Sequence, residues 1–151
     1  MYSGPLNGLK IIEFEGIGPA PLAGQLLSDL GADVIKILRK HTTIKKEPIL
    51  DRNKKTIPLD LKNTNDKEIV KKLITKADVL IEGFRPGVME RLDLGPLDCD
   101  KINPKLIFGR ITGWGQDGPY ARKAGHDINL SLIHISEPTR QEAISYAVFC
   151  L

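Results

Sequence analysis

Short apolar runs bounded by glycine and proline alternate along this chain with segments whose apolar residues recur every three or four positions. That alternation predicts strands and helices in turn, the pattern of an α/β sheet. The run "LKIIEF", residues 9–14, reads as a first strand ending at the glycine- and proline-rich turn "EGIGPAP". Beyond it, Leu22, Leu26 and Leu30 lie on one helical face, with Pro21 near the helix start and Gly31 placed to stop it. A second strand is predicted at 33–38, whose β-branched content implies burial between helix layers, completing a β-α-β unit. Residues 56–61 are extended, but Pro58 cannot donate to a ladder on both sides, so an edge position is expected. A helix capped by Asn65, with Glu68 three residues on, should bury Ile69, Val70, Leu73, Ile74 and Ala77. Further strands are predicted at 78–84 and 105–112, with a short helix in "GVMERL" between them. The expected fold is a Rossmann-like, mostly parallel sheet with flanking helices.

At 151 residues, with 41% hydrophobic and 27% charged residues, the chain has the make-up of one soluble globular domain. Neither a membrane-length apolar run nor a secretory signal is present in it, so an intracellular protein is expected. Cys99 and Cys150 lack the number and spacing of a disulfide framework or zinc site, and both are expected to be free thiols. A net charge of +3 is too small to imply nucleic acid, and one Trp, three Tyr and four Phe leave few stacking surfaces beside the lysines. The charge is nevertheless uneven. Residues 39–55 hold seven Lys/Arg against two Asp/Glu, which suits either a solvated loop or a phosphate-bearing ligand.

The loop 113–125, with its run of glycines, comes after the last predicted strand, where ligands bind in open α/β sheets. Gly16 and Gly18 invite a dinucleotide fingerprint, but Pro21 stands at the third glycine position. The second strand also ends in Arg39 where such a site needs an acid, so a nicotinamide site is not expected and a phosphate ligand is favoured. His126 sits among glycine and polar residues at the end of this loop, either as a structural histidine or as an acid/base near neutral pH. Asp127 could cap a helix there, whose free N–H groups would stabilise an oxyanion.

The stretches "GPLNGLKIIEFEGIGPAPLAGQLLSDLGADVIKI", "LDLKN", "ADVLIEGFRPGVMERLDLGP", "NPKLIFGRITGWGQDGP" and "AGHDIN", taken in order over residues 4–129, resemble the N-terminal part of the family III CoA transferases. Among these the "GHDIN" is similar to the α-methylacyl-CoA racemases. The resemblance implies that His126 is the acid/base on one face of the substrate's α-carbon and that Gly125, Asp127, Ile128 and Asn129 line the thioester. It further implies that Arg39 lies beside the CoA adenine and phosphates, that Leu59, Asp60, Leu61 and Lys62 form a CoA-contacting segment, and that Gly83, Arg85 and Arg91 add contacts. Lys45, Lys46, Lys54 and Lys55 are expected to be solvated, and Glu82 is read as a strand-end residue. Leu130 stands where the family motif has a tyrosine.

By the same resemblance the partner is an acyl-CoA thioester, with no metal and no cofactor besides the coenzyme A of the substrate, no nucleic acid and no membrane. The whole protein would be an interlocked homodimer, cytoplasmic, or peroxisomal or mitochondrial if eukaryotic. Residues 130–151 have no similarity to the family and resemble a translated sequencing adapter, so the large domain is expected to be incomplete and to lack its second acid/base. A family CoA transferase, using an aspartate to form a mixed anhydride, and a non-catalytic CoA- or nucleotide-binding module are the alternatives.

Overall fold

The computed structural model describes residues 4–40, 49–123 and 125. Five strands, β1 (Lys10–Phe14), β2 (Asp33–Arg39), β3 (Lys55–Leu59), β4 (Val79–Glu82) and β5 (Ile107–Arg110), form one sheet in the order β3-β2-β1-β4-β5. Every pairing is parallel. The helices are α1 (Pro19–Asp29), α2 (Thr64–Ile74), α3 (Val88–Arg91) and α4 (Pro96–Ile102). Because successive side chains of a strand point to opposite faces, the sheet builds two cores. Ile12, Phe14, Ile37 and Leu80 pack with Val70 and Ile74 of α2, Met89 of α3 and Cys99 of α4. On the other face Ile11, Val34 and Ile81 pack with Ala20 and Leu27 around α1. Central β1 is buried on both sides from Ile11 to Phe14, as a parallel strand covered by two helix layers must be.

Pro58 lies in β3, the edge strand, as expected. Other expectations are corrected. The leucine face of α1 does not enter the core: Leu22, Leu26 and Leu30 are 49%, 57% and 46% exposed, while the small and polar face of Ala20, Pro21, Gly24, Gln25 and Ser28 meets the sheet. The reason is proximity, since a Cβ on Gly24 would come within 1.8 Å of Glu13 Oε2, and a leucine could not fit there. The cap of α2 is Asn63, not Asn65; its side chain accepts from the N–H groups of Asn65 and Asp66, and the helix begins earlier. Along that helix Val70 and Ile74 are buried and Ile69 is exposed.

Lys54 is not solvated. Its side chain is completely buried, donating to Glu13 Oε2 at 2.6 Å and to the carbonyl of Pro21 at 2.9 Å. Lys55, by contrast, reaches solvent, paired with Asp33 at the surface. Helix α4 is not predicted by the apolar spacing; Pro96 starts it, and Asn103 at its end donates to the carbonyls of Ile74 and Ala77, at the C-terminal end of α2.

Candidate functional site

Parallel strands direct all their C-terminal ends to one edge of the sheet, where Arg39, Leu59, Glu82 and Arg110 close their strands. The strand order reverses between β1 and β4, the position at which open parallel sheets form a crevice. Arg39 and Leu59 are register partners, so two segments separated in sequence reach this edge side by side. The backbone N–H of Arg39 donates to Glu15 Oε2 at 2.7 Å, while its side chain is exposed with no ion-pair partner among the described residues.

Leu59 is buried and anchors the turn after it. Asp60 Oδ1 accepts from the N–H of Lys62 at 3.0 Å, and the N–H of Asp60 donates to Asp66 Oδ2 at 2.9 Å. That second bond, first among the causes, holds the Asp66 carboxyl below its ordinary range, with Lys40 adding to it. The two bonds fix Leu59, Asp60 and Leu61 and leave the Lys62 side chain in solvent.

At the end of β4, Gly83 stands with a Cβ position 3.2 Å from Ala20 of α1, so a side chain there would press on the helix. Arg85 and Arg91 are exposed on the turn and helix beyond it. Gly125 closes the glycine loop: a Cβ on Gly113 would lie 2.8 Å from the Cα of Gly125, and the reverse also holds. Only glycine permits that approach. Trp114 packs against Tyr120 within the loop, ring centres 5.7 Å apart, with its Nε1 buried. His126, Asp127, Ile128 and Asn129 lie outside the described residues.

Glu82 is far more than a strand-end residue. It is 2% exposed, its carboxylate accepting from the N–H of Phe84 at 2.6 Å and from Arg110 Nε at 3.0 Å. Burial pushes its pKa up, and those two donors oppose the shift. Arg110 also bonds Glu90 of α3 and, at 3.1 Å, Gln116 of the glycine loop. Burial is the largest influence on Glu90 and works upward, but the Arg110 hydrogen bond, its own backbone N–H and the charges of Arg110 and Arg91 together outweigh it and leave that carboxyl below its usual range. Glu90, Arg110 and Gln116 line a cleft of about 510 Å³ together with Pro86, Gly87 and Arg122. The signal for this network in the sequence is faint: an acid ends one apolar strand and a base ends its neighbour at the same register.

The exposed cations Arg39, Lys62, Arg85 and Arg91 suit an anionic, phosphate-bearing ligand. No group of three or more His, Cys, Asp or Glu among the described residues is placed to hold a metal ion. Nor is any helix among them long and apolar enough to cross a membrane.

An all-parallel α/β sheet whose strand order reverses between β1 and β4 belongs to the class of open, Rossmann-like sheets that form a crevice at their C-terminal edge. CoA-transferase family III matches residues 6–134, and the chain belongs to that enzyme family. It is 43% identical to the mouse α-methylacyl-CoA racemase over 124 residues, 82% of this chain and 32% of that protein. It is 38% identical to a probable fatty acyl-CoA transferase, Rv3272, of Mycobacterium tuberculosis, over 82% of this chain and 35% of that one. A crystal structure of Rv3272 superposes with a TM-score of 0.80 at 35% identity, covering 91% of this chain and 41% of the other. The chain thus spans about a third of the length of the curated relatives it matches.

Proposed function

We propose that residues 4–129 are the CoA-binding and first acid/base part of an α-methylacyl-CoA racemase. The observation that carries this reading is the convergence of Arg39, the 59–62 turn and the loop running into "GHDIN" on one sheet edge, in a chain 43% identical to such a racemase. Arg39, Lys62, Arg85 and Arg91 hold the phosphates of an acyl-CoA thioester by charge-assisted hydrogen bonds. Coenzyme A enters as part of the substrate, and the chemistry calls on no metal or redox group.

His126 takes the α-proton from one face of the thioester, and the electron pair of the broken C–H bond passes to the thioester oxygen as an enolate. N–H groups at Asp127 and beyond stabilise that oxygen. A second acid on the opposite face, outside residues 4–129, returns a proton to carbon and inverts the centre. The two-subunit assembly is part of the proposal, and the exposed leucines of α1 supply apolar surface for it.

The test is incubation of the whole protein with a single epimer of a 2-methylacyl-CoA in heavy water. Inversion with deuterium uptake is expected, and His126→Ala should abolish exchange from one epimer far more than from the other, because each acid/base serves one face. Equal, small losses for both epimers would sink the acid/base role of His126. Transfer of CoA to a free carboxylic acid, releasing the original acyl group as its acid without inversion, would instead establish the transferase reading, which the resemblance to Rv3272 supports.

A further inference from the structure

We infer that Arg110 is a positioning residue of this site: its guanidinium ties the turn bearing the CoA contacts to the loop that leads, in sequence, to His126. The inference deepens the racemase reading and rests on it. All three nitrogens of Arg110 are engaged, and each reaches a different element. Nε meets Glu82 at the end of β4, one nitrogen meets Glu90 of α3 beside Arg91, and the other meets Gln116 of the glycine loop. Glu82 passes the constraint on, because its second oxygen holds the N–H of Phe84, between Gly83 and Arg85.

The guanidinium carbon also lies over the ring of Phe108, 5.4 Å from the centroid, a cation–π contact that adds a fourth neighbour to the group. Arg110 and Glu82 are register partners on adjacent strands, so the pair stands on the rigid sheet, and both the turn and the loop are referred to it. A planar fork with fixed donors sets three directions at once; a lysine ammonium sets none. Gly113 and Gly125 close the base of the loop, and the Arg110 to Gln116 bond fixes its near arm. Proton abstraction depends on where His126 sits relative to a substrate gripped by its CoA end, and Arg110 links those two frames.

In the whole protein, Arg110→Ala is expected to lower kcat for α-proton exchange about 10²-fold while KM for the acyl-CoA moves by less than about threefold. Guanidinium ion in the buffer should restore part of the lost kcat, and Arg110→Lys should not. Should Arg110→Ala fail to fold, Gln116→Ala decides, since it cuts only the loop tether and leaves the buried Glu82 pair intact. That variant should lose about tenfold in kcat. Unchanged kcat in Gln116→Ala, or a loss in Arg110→Ala carried wholly by KM, overturns the positioning role. His126→Ala run alongside separates the failures. If it keeps full exchange from both epimers the racemase reading fails and the positioning role falls with it; if it loses exchange from one epimer while the Gln116 and Arg110 variants keep kcat, the positioning role alone is wrong.

Discussion

Gly24 shows how much a single missing side chain can decide. It brings α1 close enough to β1 for the Glu13 carboxylate to lie beneath the helix, in contact with Lys54 and shielded from water. Alanine would ordinarily favour a helix over glycine by about 1 kcal/mol. Here its methyl would displace a carboxylate whose partner is equally buried, and breaking such a pair costs about 3–5 kcal/mol. Gly24→Ala should therefore lower stability by about 2 kcal/mol or more on balance, measured by urea unfolding. A stabilised variant would show that Glu13 can move aside freely. Arg39 lies at the other extreme, exposed and without an ion-pair partner among the described residues. Arg39→Ala should weaken CoA binding by about 1–3 kcal/mol in a titration of the whole protein, and unchanged affinity would remove it from the site. The position of Arg39 was legible, because a base closing the second strand is a local feature. Lys54 was not, because its partner is 41 residues away in sequence; within "DRNKK" it looks like any surface lysine.

At the scale of elements, the segment entering β3 is fastened across α1 by charges. Asp29 at the end of α1 accepts from Arg52 and from Gln25, and these hydrogen bonds, Arg52's first, hold its carboxyl down to about 2. A carboxyl depressed in the folded state adds stability above its ordinary pKa and loses it as pH falls through the folded value. Asp29→Asn should accordingly be less stable than the parent above about pH 4, with the difference shrinking as pH falls toward and below 2. Added salt should shrink the difference, since the pair is exposed. A difference that does not shrink between pH 4 and pH 2 would assign the effect to packing. Periodicity identified α1 and α2 but misjudged which face of α1 is buried. A spacing of four marks a stripe, not its direction, and the close approach at Gly24 excluded leucine from the sheet side.

Across the whole molecule the parallel α/β plan and the edge position of β3 were legible in alternating patterns and in Pro58, whereas the Glu82 and Arg110 network was not, because it exists only once β4 and β5 are neighbours. The three α1 leucines form an uncovered apolar stripe on the described surface. Leu26→Glu should reduce self-association of the 151-residue chain in light scattering without lowering its unfolding midpoint; a lower midpoint would show that the stripe is internally packed. The two margins of the sheet differ in kind. At β3, Pro58 has no N–H to offer a newcomer, whereas β5 pairs only with β4 among the described residues and leaves Ile107 64% exposed. Extension of the sheet is therefore one-way. Once a ribosome has released β3 that border is closed and the receiving border is β1, the first strand made: β4 joins there and β5 then joins β4, so the sheet grows back across its own starting strand before it lengthens in the direction of synthesis.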